Sequence, residues 1–244
     1  IVFSLNSILL IRELFKILNV VFLKMNNCLI SEFRAGRVGL AFFAFRFGKV
    51  NLVKFSIKVQ NIYFSLSIAQ TENEIISNCL LLMMTGHDTT SNTIFHFIIN
   101  LAINPSKQEK LIEEIDRFIE SDELLFEKVK RMTYLEACLK ETLRLHPSGT
   151  RAERKAVDNV KLDQIFIPKD AYVVIPIYSI HRDPNNFENP DEFIPERFLA
   201  ENIDKIKSGS YIPFADGPRN CVGMRFALMT IKLTLAKLLT EFRF

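Results

Sequence analysis

Cys221 stands near the end of the stretch Phe-Ala-Asp-Gly-Pro-Arg-Asn-Cys-Val-Gly, residues 214–223. A cysteine binds a metal as its thiolate, and a thiolate needs positive potential nearby. The periodic apolar run from Met224 to Leu239 predicts a helix beginning just after the cysteine. Its first turn brings unpaired N–H groups and the positive dipole end to the sulfur. Gly217 and Gly223 let the backbone turn tightly and approach a flat cofactor closely. Pro218 stiffens the loop. Arg219 offers a fork of donors suited to a carboxylate, and Phe214 can pack against the cofactor and keep water from the sulfur. The four cysteines, Cys28, Cys79, Cys138 and Cys221, have no short repeated spacing. Neither a zinc site nor a disulfide framework is indicated, and a reducing compartment is the plain reading.

A second constellation is Thr-Gly-His-Asp-Thr-Thr, residues 85–90, inside an apolar run. Gly86 costs roughly 1 kcal/mol against Ala within a helix, and Asp88 costs more if it is buried unpaired. Two local rules broken together point to a functional site. Small residues there open room beside the helix, the Thr89 hydroxyl can distort it and hold water, and Asp88 with Thr89 can pass protons. A third is Glu141 and Arg144 in Lys-Glu-Thr-Leu-Arg-Leu-His-Pro, residues 140–147. Spaced by three, they meet on one helix face, and a buried pair needs a further partner to offset desolvation. Arg197, in Pro-Glu-Arg-Phe at 195–198, is the candidate. Glu114 and Arg117 have the same spacing and read as an ordinary surface pair. His87 and His96 lie nine apart, share no metal-binding helix face, and read as packing or surface residues.

These residues resemble those of the cytochrome P-450 superfamily. Its loop pattern F-x-x-G-x-R-x-C-x-G is matched at Phe214, Gly217, Arg219, Cys221 and Gly223. Five fixed positions agree by chance in a chain this long on the order of once in ten thousand sequences. Its A/G-G-x-D/E-T stretch is matched at Gly86, Asp88 and Thr89, with Thr85 where Ala or Gly is usual. The resemblance covers residues 71–244. It implies a mainly α, partial cytochrome P-450 fold with a long central helix, a haem-binding cysteine loop and a small β patch. It implies haem (heme b) with Cys221 as the axial iron ligand, flanked by Phe214, Gly217, Gly223 and Gly86. Arg219 and Arg154 are then the propionate-binding arginines, Asp88 and Thr89 the catalytic pair, and Glu141, Arg144 and Arg197 a structural triad that locks the loop. Two turn glycines of the family are replaced by Gln164 and Asp170, and Asp tolerates a left-handed turn better than Gln. His181, in a familiar Ile-His-Arg-Asp-Pro stretch, reads as loop packing.

The implied activity is monooxygenation of a small apolar substrate, with O2 and electrons from an NADPH-dependent flavoprotein reductase. Arg219, Arg225 and Lys232 are candidates for docking that acidic partner. The implied location is the cytosolic face of the endoplasmic reticulum membrane, with the anchor, the substrate roof and the last strands outside this chain. Two alternatives stay open: a non-catalytic fragment or pseudogene remnant, and a peroxide isomerase of the same superfamily. The Asp88-Thr89 relay speaks against the isomerase.

The elements that must position these groups are legible in outline. Thr71-Glu-Asn-Glu74 is a capping box that starts a helix running to Asn104, ended by Pro105. A second helix spans Pro105–Glu120, with Pro at its first turn and Leu111, Ile112, Ile115, Phe118 and Ile119 at helical spacing. A third covers Thr133–Leu145. Strands are expected within residues 157–177, at Ile165–Pro168 and Tyr172–Ile175. Residues 183–222 read as irregular loop.

Composition divides the chain near residue 70. Residues 1–70 hold nine Lys or Arg, two Glu, ten of the 22 Phe, and no Asp, His or Pro; residues 71–244 hold all nine Pro and all four His. Residues 1–70 are either a divergent helical region or translated non-coding sequence; a membrane-surface helix ranks below both. No apolar run in residues 1–23 escapes Arg12, Glu13 and Lys16, so a spanning helix is not expected there. The net charge of +3 gives no reason to invoke nucleic acid.

Overall fold

A computed structural model of the protein describes residues 71–119 and 125–244. The expectations for residues 1–70 and for a helix end at Glu120 lie outside the described residues, as do the side chains of Cys79 and Ile119. The chain divides into the units Ile1–Ile75 and Ile76–Phe244.

The first helix, α1 (Glu72–Ala102), opens on the expected capping box. The Thr71 amide donates to Glu74 Oε2 at 2.7 Å, and the Glu74 amide donates back to Thr71 Oγ1 at 3.4 Å. The C-terminal half of α1 buries Ile94, Phe97, Ile98 and Leu101, one stripe at helical spacing. Pro105 then opens α2 (Pro105–Ile119), which buries Leu111, Ile112 and Ile115. A short helix, α3 (Leu125–Arg131), was not expected from the sequence.

Helix α4 (Thr133–Leu145) is the centre of the core, with ten of its 13 residues buried. It packs against α2, against α6 (Met224–Leu239), and against a 3-10 turn at Pro195–Phe198. No residue at the start of α4 caps it with its own side chain. Glu114 of α2 does so instead: its carboxylate accepts from the Tyr134 and Leu135 amides at 2.9 and 2.8 Å. The reading of Glu114 and Arg117 as a surface pair is therefore wrong. Glu114 is buried, and a carboxylate on a helix N-terminus satisfies orphan N–H groups and faces the positive dipole end.

After α4 come two separate two-stranded antiparallel ladders. β1 (Ala152–Lys155) pairs with β4 (Tyr172–Ile175), and β2 (Val160–Leu162) pairs with β3 (Ile165–Ile167). β1 precedes the expected strand region. It alternates half-buried Ala152 and Arg154 with exposed Glu153 and Lys155, a two-residue period too polar to stand out. The β2–β3 turn places Asp163, not Gln164, at positive φ (50°), and Asp170 also turns left-handed at 64°. Asp accommodates both, so the missing glycines are no obstacle. A short helix α5 (Ile177–His181) follows, then residues 183–222 run as loop with 3-10 turns. Among the described residues, no helix is long and apolar enough to cross a membrane.

Candidate functional site

The cysteine loop closes on itself. The Cys221 amide donates to the Phe214 carbonyl at 2.9 Å, and between them Ala215 and Gly217 adopt left-handed conformations (φ 57° and 79°). Asp216 Oδ1 accepts from the Gly217 amide at 2.7 Å and starts the 3-10 turn Gly217–Arg219, with Pro218 in its first turn. Gly217 thus serves the backbone as expected. Gly223 does not: its φ is −87°, which any residue adopts. Its role is clearance, since a Cβ there would meet nothing closer than the Cys221 sulfur at 4.0 Å. Gly223 is also the N-cap of α6, so Cys221 sits just ahead of that helix's free N–H groups.

The surroundings of the thiol suit a large, flat, apolar cofactor with two carboxylates. Cys221 is exposed, Phe226 is half exposed and Val222 is 92% exposed. Arg219 is exposed and Arg154 half-buried, and among the described residues neither has a carboxylate partner. Arg154 Nη1 donates only to the Glu153 carbonyl, at 2.9 Å. A Cβ on Gly86 would meet nothing within 4 Å. These groups fit a haem: one soft axial donor, apolar flanks and two guanidiniums.

On α1, Asp88 is not a buried carboxylate. Its side chain is 81% exposed and lies 3.1 Å from His87 Nδ1, so the expected desolvation cost does not arise. The Thr89 hydroxyl donates to the Thr85 carbonyl at 2.7 Å, and Thr85 and Thr93 repeat the pattern toward Leu81 and Thr89 at 2.8 and 2.9 Å. The departure at Thr85 thus adds one rung to a ladder of back-bonded hydroxyls on one helix face. Ser148, in the turn after α4, adds a contact that sequence reasoning missed. Its Oγ donates to the Thr89 carbonyl at 3.2 Å and lies 3.3 Å from Thr93 Oγ1. Thr89 is tied to the turn after α4 through Ser148, whereas the cysteine loop is reached from α4 through His181 and Ile212.

The triad is assembled in full. Arg144 Nε and Nη2 reach Glu141 Oε2 and Oε1 at 2.7 and 2.9 Å, with both side chains fully buried. Arg197 Nε and the Ile194 amide also donate to Glu141 Oε1, at 3.3 and 2.9 Å. Arg144 Nη1 donates to the carbonyls of His181 (2.9 Å) and Pro190 (2.6 Å), and Nη2 to that of Glu192 (3.0 Å). These five bonds match the five N–H donors of a guanidinium. Arg197 Nη2 reaches the Asn189 carbonyl at 2.9 Å. The buried charges are compensated by one another and by the main chain of residues 189–194, which is what lets an ion pair persist without water.

One reading of the docking charges needs correction. Lys232 offers no surface charge: its side chain is only 9% exposed and is ion-paired with Glu136 at 3.2 Å. Arg219 and Arg225 are exposed. His96 is a packing residue as expected, stacked on His146 with centroids 4.2 Å apart.

Comparison with known proteins places this arrangement. The sequence model of the cytochrome P450 family matches residues 52–244. Cytochrome P450 3A2 of Rattus norvegicus is 45% identical over 177 residues, covering 72% of this chain and 35% of the rat protein. Cytochrome P450 3A6 of Oryctolagus cuniculus is 44% identical over 172 residues (70% and 34%), and cytochrome P450 3A27 of Oncorhynchus mykiss is 43% identical over 175 (71% and 34%). The chain spans about a third of the length of these curated relatives. The mainly helical architecture, the cysteine loop, the buried triad and these matches agree: the chain belongs to the cytochrome P450 family.

Proposed function

We propose that this chain carries the haem-binding part of a haem-thiolate monooxygenase that inserts one oxygen atom from O2 into a small apolar substrate. The observation that carries the reading is the cysteine loop. It presents an exposed thiol ahead of α6, on a backbone closed by the Cys221–Phe214 bond and turned at Gly217. When bound, a thiolate-ligated haem activates dioxygen, the sulfur's electron density favouring O–O cleavage.

The residues of this chain divide the remaining work. Cys221 would supply the sulfur ligand to the iron. Arg219 and Arg154 would hold the propionates through charge-assisted bonds. Gly86 and Gly223 would leave room for the cofactor, and Phe214 would pack against it. Asp88, exposed beside His87, takes protons from solvent, and Thr89 hands them on. Glu141, Arg144 and Arg197 fix the segment from which the loop departs. Electrons come from an NADPH-dependent flavoprotein reductase, whose acidic face docks at Arg225. The whole protein works at the cytosolic face of the endoplasmic reticulum membrane.

The test is a carbon monoxide difference spectrum of the full chain expressed with haem, beside Cys221→Ala. The expected result is a strongly red-shifted Soret band that disappears in the variant. An unchanged band in Cys221→Ala would sink the assignment of the ligand. No band in either would mean that this length of chain does not hold haem by itself.

A further inference from the structure

We infer that His181 is the positioning residue through which the Glu141–Arg144–Arg197 triad acts on the cysteine loop. The inference rests on the reading of Cys221 as the iron ligand. No triad side chain touches residues 214–223 among the described interactions. The triad's donors end on the carbonyls of 181, 189, 190 and 192, more than twenty residues before the cysteine. Something must carry its order to the loop.

The imidazole of His181 bridges that gap. Its Nδ1 lies 3.2 Å from the Arg144 carbonyl, and its Nε2 lies 2.9 Å from the Ile212 amide. A carbonyl only accepts and an amide N–H only donates. The two partners therefore fix one tautomer: Nδ1 carries the proton and Nε2 is the bare acceptor. Ile212 is two residues before Phe214, whose carbonyl closes the loop on the Cys221 amide. The Ala215 amide in turn donates to the Ile212 carbonyl at 3.0 Å. A continuous path thus runs from the guanidinium helix through one ring to the first residue of the motif.

The rest of the site supports this role. His181 is fully buried, and the same residue's carbonyl accepts from Arg144 Nη1, so residue 181 is bonded to Arg144 from both its ring and its backbone. Tyr211 stacks on the ring at 5.5 Å and donates its hydroxyl to the Lys140 carbonyl at 3.1 Å, a second anchor on the same face of α4. The charged and titratable groups around the ring are Arg144, with Glu141 behind it, and Tyr211. Burial above all, and the neighbouring guanidinium after it, disfavour an imidazolium, which could not accept from Ile212.

Two substitutions separate the two bonds. In His181→Gln the amide oxygen reaches the Nε2 position and can accept from Ile212. In His181→Asn the shorter side chain can replace only Nδ1. Hydrogen–deuterium exchange of the full chain, read on peptides covering 209–215 and 133–145, distinguishes them. The expected result is exchange at least tenfold faster at 209–215 in His181→Asn, with 133–145 unchanged, and wild-type protection in His181→Gln. Equal exchange at 209–215 in His181→Asn and wild type overturns the inference. If His181→Asn unfolds throughout, the Gln variant decides: near-native protection supports the bridge, and loss of protection overturns it. With haem, the red-shifted carbon monoxide band should weaken in the Asn variant and persist in the Gln variant. A wild-type chain with no such band shows that this length of chain does not hold haem by itself, and leaves the exchange comparison to judge the bridge.

Discussion

At the scale of single residues, the largest energetic stake lies with Glu141. Its two oxygens hold Arg144, Arg197 and the Ile194 amide with no water in reach. Glu141→Ala leaves the fully buried Arg144 charge without its counter-ion, a loss of about 3–5 kcal/mol. That is a large share of the stability of any domain. The expected outcome is a markedly lower urea midpoint and no haem incorporation. A midpoint within error of wild type would show that the main-chain carbonyls alone suffice for Arg144. The residue scale is also where the sequence misled. Asp88 in an apolar run read as costly if buried unpaired, and Lys232 as surface charge. The structure exposes the first and buries the second. One-dimensional context says how apolar the neighbours are, not which side of the helix faces the core. Ser148 and His181 gave no stronger warning, because each acts through a main-chain atom of another segment.

At the scale of elements, the sequence was read well wherever a terminus carries its own signal. The capping box at Thr71, the proline at 105 and the run ending before Pro147 give helix ends within two residues of those observed. Two short helices, Leu125–Arg131 and Ile177–His181, escaped. At seven and five residues they are too short for a periodic stripe to emerge, and packing rather than propensity sustains them. The cap of α4 was invisible for a different reason: it comes from Glu114, twenty residues upstream. A test at this scale concerns the junction of α1 with the turn after α4. Ser148→Ala removes a hydroxyl from the Thr89 carbonyl while Thr93 Oγ1 and the helix still use it. The expected loss is about 1 kcal/mol, seen as a small shift of the thermal midpoint. A drop several times larger would mean that Ser148 organises the whole Asp88–Thr89 turn.

At the scale of the whole molecule, acid should be the weak point. Burial pushes His181 down to about 4 from 6.5, and burial, then the stacked His96 and nearby guanidiniums, do the same for His146. Between those values the unfolded chain takes up protons that the folded chain refuses, so stability is full above pH 6.5 and falls toward pH 4. For fully buried His181 alone the drop from pH 7 to pH 5 is about 2 kcal/mol. Glu196 adds to it lower down, because Lys107 and Lys110 hold its carboxyl at about 2 against 4.5 despite its partial burial. Urea midpoints at pH 7 and pH 5 should therefore differ more in wild type than in His181→Gln. Equal differences would remove His181 as the titrating group. The family was legible in the sequence because its motifs are short and local. What joins those motifs was not, since the bonds that lead from α4 and α5 toward the loop connect residues 31 to 71 positions apart.

On the far side from Glu141, the lock made by Arg144 reads mostly backbone. Its guanidinium grips the carbonyls of residues 181, 190 and 192 and lies over one ring, that of Phe187, 5.1 Å away. Every amino acid has that carbonyl, so outside His181 and Phe187 the lock is indifferent to spelling and sensitive to length. Exposed positions such as Glu188 and Glu192 are free to drift from one descendant gene to the next. A single inserted or deleted residue between 182 and 189 shifts the gripped carbonyls out of register with a rigid fork. The segment should therefore diverge by substitution among descendants while its length stays fixed.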